Sequence, residues 1–512
     1  MRRLLTCALL SSLLTGLAWG AEPPAVVPSP QNEAASYQSP PMTLPEAINL
    51  ARLGNFAIAA SKVGLAREEW APYIARGIFD RTLRLGLTHN SRQTNGSDGV
   101  TSGSDSDSTS LSTVVTVPTQ TGGQWSLEYN AQRVDVRSAT GGGNDGYSSD
   151  VEVNFRHPLL EGAGKRRTSS GITQAEIGVD ITRANLDREF LSLEQTVTQQ
   201  FLAVLRAQRQ LETARISLDV ANALFDQIAA QVEAGSLAQF EQTNAEGGLA
   251  TREEAVLLAQ QGVDDALDEL KQTLGIPRDV PLVLDPNPAY DSPPDVTFEQ
   301  YLGIANDNRP ELRVFDLREQ QNEVSLFDAK DNLKDTLDFT AGVGLNGEGR
   351  DFGKSLEDME DINWVLGVEY LIPLGRDRRA KGQYEQARLA LDQLALERAE
   401  TETQIESDLS QAIRDVEVAE QRLSITATGV RVAQERLDNE RARLDLGLTT
   451  ATFVLEVEED LAQARRSQIE ADLNVVAARA RLLNVLGLSQ LAGNPPIDGV
   501  EPESSEQETA PS

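Results

Sequence analysis

The chain contains itself twice. Arg166 opens "RRTSSGITQAEIGVDITRANL" and Arg378 opens "RRAKGQYEQARLALDQLAL" (378 − 166 = 212). Gly235 in "VEAGSLAQFEQ" and Gly447 in "LDLGLTTATFV" keep that spacing (447 − 235 = 212), as do Gly275 in "LGIP" and Gly487 in "LGLS" (487 − 275 = 212). Landmarks that share one offset mark a duplicated block without insertions. Upstream, "TLPEAINLARLGNF" at Thr43 recurs as "TFEQYLGIANDNRP" at Thr297, at a larger offset (297 − 43 = 254). The first copy is therefore longer by 42 residues (254 − 212 = 42), and its surplus falls in a Gly/Ser/Asp-rich region, about Asn95–Ser149.

The two blocks Arg166–Leu274 and Arg378–Leu486 have no internal proline and are rich in Ala, Leu, Glu, Gln and Arg, which favour helix. In the second block Ile405, Leu409, Ala412, Val416, Ala419, Leu423, Thr426, Val430, Ala433 and Leu437 recur at steps of four and three. The first copy carries the same stripe in the same phase: Leu193, Val197, Gln200, Val204, Ala207, Leu211, Ala214, Leu218, Ala221 and Phe225. This is a heptad seam. Gly235 and Gly447 break each block into a longer and a shorter helix, so each block is an antiparallel hairpin. From Arg378 to Leu446 is 69 residues, roughly 100 Å of helix at 1.5 Å per residue.

The period changes to two ahead of each block. Leu83, Leu85 and Leu87 form one face; so do Leu111, Thr113, Val115 and Val117; so do Trp125, Leu127 and Tyr129. Val151, Val153 and Phe155 lead into "HPLLEGAGKRR". In the second copy Phe339, Ala341, Val343 and Leu345 form one face, and Trp364, Leu366, Val368 and Tyr370 lead into "IPLGRDRR". Alternation with one apolar face predicts antiparallel strands, four in the first copy and two in the second. Six strands do not close a barrel on their own, and an open sheet edge is not tolerated in lipid. Strands of this kind enter a membrane only if several chains share one barrel. The extra pair leaves two possibilities: it joins the wall of the shared barrel, or it folds outside a wall of four strands per chain.

Residues 1–20, "MRRLLTCALLSSLLTGLAWG", read as a secretory signal, with Arg2 and Arg3 before an apolar stretch and small residues before Ala21. The sole cysteine, Cys7, lies inside it, so no disulfide is expected in the exported chain. A formal net charge of −33 argues against nucleic acid as a partner. Two histidines, His89 and His157, are too few for a histidine-rich metal site, and both read as structural or exposed. "GSDGVTSGSDSDSTS" and "TGGGNDG" read as exposed hairpin loops; the former lacks the closing Glu of a calcium loop. No nucleophile–base pair and no phosphate loop is present, so neither catalysis nor a cofactor is expected.

In the order and spacing of these motifs the chain resembles the TolC-like outer-membrane efflux channels. The resemblance spans about Met42 to Leu488. It rests on "MTLPEAINLARLGNF", on "HPLLEGAGKRR" and "IPLGRDRR", on the glycine turns "VEAGSLAQFEQTNAE" and "LDLGLTTATFVLEVEEDL", and on the "LGI/LGL" helix ends. It implies a mostly α fold with a β part: long antiparallel coiled-coil hairpins, plus strands given to a β-barrel shared by a homotrimer in outer-membrane lipid. It implies a periplasmic helical tunnel that docks onto a periplasmic adaptor and an inner-membrane pump.

The domain reading that follows is a signal at 1–20, an N-terminal linker at 21–41 and a first repeat at 42–275, with strands at about 81–157 and a helical hairpin at 166–275. A Pro-rich linker follows at 276–296. The second repeat is 297–488, with strands at about 337–373 and a hairpin at 378–487, and an acidic tail at 489–512 reads as disorder. The resemblance also places Gly235 and Gly447 at the periplasmic tip, with gating acids six and nine residues beyond the glycine. Glu241 and Glu456 fit those positions, whereas Phe453 replaces the acid expected six residues after Gly447.

Pro158, Gly164, Arg166 and Arg167 mark the strand–helix junction in the first copy; Pro373, Gly375, Arg378 and Arg379 mark it in the second. Basic residues at a helix start oppose its dipole, so lipid headgroups or acidic neighbours are expected to hold them. The competing reading is a periplasmic or surface coiled-coil scaffold without a pore.

Overall fold

The computed structural model describes residues 41–94, 104–138, 143–235, 237–288, 296–375, 377–446 and 448–489. The signal, the N-terminal linker up to residue 40, the acidic tail beyond Ser489, about half of the "GSDGVTSGSDSDSTS" segment and Gly447 lie outside them. The elements, in chain order, are helices α1 Leu44–Gly54, α2 Phe56–Glu68 and α3 Ala71–Arg76, then strands β1 Thr82–Thr94, β2 Ser104–Pro118, β3 Gln124–Ser138 and β4 Gly143–Pro158. A one-turn helix α4, Lys165–Thr168, precedes α5 Ser170–Glu233 and α6 Gln239–Leu274. The second copy supplies α7 Phe298–Asn308, α8 Pro310–Asp331, β5 Thr336–Gly349, α9 Phe352–Glu357, β6 Asp361–Leu371, α10 Arg378–Asp445 and α11 Ala451–Val485.

Two compact units result. The first takes Leu65–Thr182 and Phe315–Leu396 and is built on the sheet. All six strands are antiparallel in one sheet of order β1-β2-β3-β4-β5-β6. The surplus of the first copy is therefore a hairpin, β2–β3, inserted between the two strands that the second copy also has. Part of the segment expected as an exposed loop belongs to it: Asp105–Ser110 pair with Gln132–Arg137. "TGGGNDG" likewise ends inside β4, where Asp145 pairs with Asp135.

The second unit takes the described residues of 41–64, 183–314 and 397–489 and is helical. The heptad seam packs as the spacing predicts: Val197, Val204, Ile405, Leu409 and Ala412 are buried. Three larger cores line it. One joins Leu44, Ile48 and Ala51 of α1 to Val197, Phe201 and Leu205 of α5 and Leu270 and Leu274 of α6. A second does the same in the other copy, with Tyr301, Ala305, Ile405, Leu409, Leu482 and Leu486.

The duplication reaches the helix caps. The Thr43 N–H donates to Glu46 Oε2 (2.8 Å) at the start of α1, and the Thr297 N–H donates to Gln300 Oε1 (3.0 Å) at the start of α7. Each shortens the list of unpaired amides at a helix start.

Two stretches differ from the sequence expectation. Residues 276–288, read as linker, dock on the first core: Leu284 is buried there, and Met42 bridges it through Met42 N–H to Val283 O (2.8 Å). The long helix does not run unbroken from Arg166; α4 ends at Thr168 and α5 begins at Ser170. The interruption is at Ser169, whose φ of −96° and ψ of 3° leave the helical region between the two segments.

Candidate functional site

The sheet has two dissimilar faces, and pairing register sets them. Leu83 opposes Val115, which opposes Leu127, which opposes Val153, which opposes Val343, which opposes Trp364. A row of apolar side chains thus crosses all six strands, and parallel rows lie on either side of it. Residues two apart share a face, so Leu85, Leu87, Trp125, Val151, Phe155, Leu345, Leu366 and Val368 extend this surface. Most of it is bare: Leu85, Leu87, Trp364, Leu366 and Val368 are all exposed. A large bare apolar surface on a sheet is a surface for lipid or another protein. Trp125 and Phe155 pack with centroids 4.3 Å apart and planes tilted by 32°, and His157 stacks on Phe155 at 5.9 Å. This makes an aromatic cluster at the strand end next to the helices, where a membrane interface favours such rings.

The opposite face is rich in Ser, Thr, Asn, Gly and charge. Asn130 Nδ2 donates to Asp150 Oδ2 (3.0 Å), and Arg156 Nε donates to Asp338 Oδ2 (3.0 Å). Glu128 sits directly across from Glu152, a like-charge pair that is tolerable only in water. Gly342 gives room there: a Cβ on it would lie 2.4 Å from Asn154 Oδ1. No helix among the described residues is long and apolar enough to cross a membrane; the sheet is the element with a lipid-compatible face.

The strand–helix junction follows from "HPLLEGAGKRR". Pro158, which has no N–H, is the last residue of β4. Gly162 and Gly164 then take φ of +79° and +96°, values that favour glycine. The turn delivers the basic pair onto α8 of the other copy. The Arg166 guanidinium lies 4.2 Å from the centre of the Phe327 ring. Arg167 pairs with Asp328 (3.6 Å) and Asp331 (3.4 Å). Asp331 is buried, accepts from the Gly162 N–H (2.7 Å) and pairs with Lys334. Acidic and aromatic neighbours, not lipid headgroups, hold the first basic pair. In the second copy Pro373 lies just beyond β6 and Gly375 takes φ +133°, while Arg378 and Arg379 are exposed at the start of α10.

Asp331→Asn should lower the stability of the junction by about 2 kcal/mol, because it strips one charge from partly exposed partners and leaves them half-satisfied. A drop in melting temperature with unchanged helical content measures it; an unchanged melting temperature would remove Asp331 as the keystone.

The tip is a four-helix core of Leu224, Ile228, Ala245, Leu437, Leu444, Val454, Val457 and Leu461. Gly235 makes the first hairpin turn at φ +77°, and Gly447 lies outside the described residues. The two candidate acids are presented differently. Glu241, in the first turn of α6, is buried, and its Oε2 has no protein partner. Glu456 is exposed on α11, and Phe453, one turn earlier, is 37% exposed.

A pair that sequence inspection missed ties α6 to α11. Arg252 Nη2 reaches buried Glu458 at 3.4 Å and the Leu455 carbonyl at 3.3 Å. Nothing in the local sequence marks these two among many helical charges; only helix packing brings them together.

Comparison with known proteins agrees with this geometry. The outer membrane efflux protein family matches residues 124–276 and 302–488. The outer membrane efflux protein BepC of Brucella suis biovar 1 (strain 1330) is 28% identical over 131 residues, covering 25% of this chain and 29% of that one. That match spans under a third of the relative's length. The fold is that of VceC from Vibrio cholerae (TM-score 0.64, 16% identity, 87% of this chain and 96% of that one). It is equally that of the Neisseria gonorrhoeae MtrE outer membrane channel (TM-score 0.63, 17% identity, 87% and 89%). With two family matches placed on its two copies and covering more than half of its length, the chain belongs to the outer membrane efflux proteins, a family of transport channels of the outer membrane with a periplasmic helical part.

Proposed function

We propose that the protein is a passive homotrimeric exit duct of a tripartite efflux or type I secretion system. It receives substrates from a periplasmic adaptor and an inner-membrane pump and releases them outside. The observation that carries this reading is the sheet: apolar across six strands on one face, polar on the other, with both edges open. A pore-less coiled-coil scaffold has no use for such a surface. Energy comes from the pump partner.

At the tip, three copies of the exposed Glu456 form an acidic ring that favours cations, Phe453 adds an apolar constriction one turn earlier, and Glu241, buried within each chain, supports the tip from inside rather than lining the path. The purified protein should migrate as a heat-stable trimer and give single-channel conductance in a planar bilayer. A soluble periplasmic monomer would end the reading. In the same bilayer, Glu456→Gln should weaken block by multivalent cations several-fold, whereas Glu241→Gln should leave it nearly unchanged; unchanged cation selectivity in Glu456→Gln removes the ring.

A further inference from the structure

Helix α9 joins β5 to β6 at the strand ends farthest from the long helices. A connection at that end has two places to go: across the polar face, where it obstructs whatever that face lines, or back onto the apolar face. Register decides between them. Leu345 opposes Val151 on the apolar face, so the next residues on that face are Gly347, opposite Ser149, and Gly349, opposite Tyr147. These are the residues that α9 rests on. Ser149 Oγ and Ser355 Oγ lie 2.9 Å apart, and both residues are buried. A Cβ on Gly347 would stand 2.2 Å from the Ser355 carbonyl oxygen, and one on Gly349 would stand 2.6 Å from the Ser355 nitrogen. Small residues thus leave a seat for a short helix on the apolar side of β4 and β5.

The seat also sets how α9 is rolled. Lys354 Cβ lies 2.9 Å from where a Cβ of Gly349 would be, in the row farther from the long helices. Met359 Cγ lies 3.0 Å from where a Cβ of Gly347 would be, in the row nearer to them. Residues two apart on an α-helix point about 200° apart. Phe352 and Leu356, two before and two after Lys354, therefore share the flank that faces away from it. That flank looks back toward Leu345 and Ile362, and its two side chains are 44% and 40% exposed. Asp351 caps the helix by accepting from the Lys354 N–H (2.9 Å). Across its width α9 is amphipathic, with an apolar flank toward the apolar band and the Lys354 flank away from it.

The height is that of a membrane boundary. At the strand ends next to the long helices, the cluster of Trp125, Phe155 and His157 closes the apolar band. At the other end Tyr147, with the Arg133 guanidinium 5.6 Å from its ring centre, begins a polar row. His157 and Tyr147 are ten residues apart on one strand (157 − 147 = 10). That is about 34 Å of strand, or about 26 Å along the membrane normal at a tilt of about 40°. The lipid-facing band of a β-barrel is about 25 Å tall between its aromatic girdles. Seated on Gly347 and Gly349, α9 lies at the outer limit of this band.

We propose that α9 is an interfacial helix of the outer leaflet. Phe352 and Leu356 enter the boundary between acyl chains and headgroups, and Lys354 stays among the headgroups. The occupant of the flank is lipid, because the flank continues the same apolar face at the same side of the sheet. The helix holds the outer rim of the sheet at the level of the leaflet surface. It leaves the polar face clear, so it is an anchor and not a lid. This rests on the apolar face meeting lipid and is independent of conduction.

The test uses the full mature chain in vesicles of phospholipid brominated on its tails. Once the segment bearing Trp19 is removed, the tryptophans are Trp70, Trp125 and Trp364. Phe352→Trp in a background of Trp70→Phe, Trp125→Phe and Trp364→Phe gives one reporter; Trp70→Phe with Trp125→Phe leaves Trp364 as the other. The Phe352→Trp reporter should be quenched several-fold, most strongly by bromines close to the headgroup. Trp364, in the middle of the band, should be quenched most strongly by bromines near the chain ends. A quenched Trp364 with an unquenched Phe352→Trp reporter overturns the interfacial helix and leaves the lipid-facing sheet standing. If neither is quenched, the apolar face does not meet lipid and both readings fall.

Should the tryptophan variants fold poorly, Phe352→Cys and Lys354→Cys in turn give a second readout, the mature chain having no cysteine once the segment bearing Cys7 is removed. In membranes a charged, impermeant maleimide should modify Lys354→Cys several-fold faster than Phe352→Cys. Equal rates overturn the anchor.

Discussion

Val153→Arg should keep the protein out of the membrane. Val153 sits near the middle of β4, with Leu127 on one side and Val343 on the other, on the apolar face. An arginine facing lipid near the midplane of a β-barrel costs about 2–4 kcal/mol, and a trimer would incur it three times, on the order of 10 kcal/mol. Heat-stable trimer in outer-membrane fractions should fall at least tenfold. The neighbouring substitution Glu152→Gln alters the opposite face, where Glu152 opposes Glu128. It should leave yield unchanged or slightly raised, because it relieves a like-charge pair. Equal membrane yields for both variants would mean that this face does not meet lipid.

Gly275→Val should destabilise the helical unit by about 3–5 kcal/mol. Gly275 ends α6 at φ +71°, a conformation that costs a β-branched residue about 1–3 kcal/mol. Space is the larger obstacle: a Cβ there would stand 2.2 Å from the Gly54 carbonyl oxygen at the end of α1. The contact is held from the side by Asn55 Nδ2 donating to Thr273 O (2.9 Å). The backbones would have to part, opening the core that contains Ile48, Phe201 and Leu274. Urea unfolding followed by the helical signal measures the loss. Gly487→Ala is the milder counterpart, with φ +72° and a Cβ 2.8 Å from the Asn308 carbonyl carbon; about 2 kcal/mol is expected. A Gly275→Val protein as stable as the parent would show that α1 and α6 do not approach this closely.

These two experiments test features of different legibility. The apolar face of the strands is written in the period of two at Leu83, Leu85 and Leu87 and at Trp364, Leu366 and Val368. The heptad stripe from Ile405 to Leu437 told which helix face would turn inward, and its positions are all buried or half-buried. Gly275 and Gly487 were visible as repeated helix ends, but their close approach to Gly54 and Asn308 was not. It depends on backbone atoms of a segment more than two hundred residues earlier in one copy and nearly as far in the other.

The junction shows the same limit. A basic pair at a helix start signals that something offsets an unfavourable dipole, but local sequence left lipid and acid equally open. Asp328 and Asp331 are the answer in the first copy because the fold lays α8 of the second copy beside it. Glu241 and Glu456 looked alike as acids beyond a glycine, yet packing buries one and leaves the other in water. Leu284, within a stretch of prolines, read as linker until the first core was seen to enclose it.

What the sequence determined by itself is therefore everything carried by local period and by repetition: two copies, helices with one buried stripe, strands with one apolar face, glycines at the turns. These follow from steric and hydrophobic preferences that act over a few residues. The tertiary structure alone decided that β2 and β3 join the same sheet as the other four strands, which acid meets Arg167, and which face of the sheet α9 rests on. Those outcomes depend on strand register and on helix–helix approach between distant segments, where a shift of one residue reverses a face and no short stretch of chain holds the information.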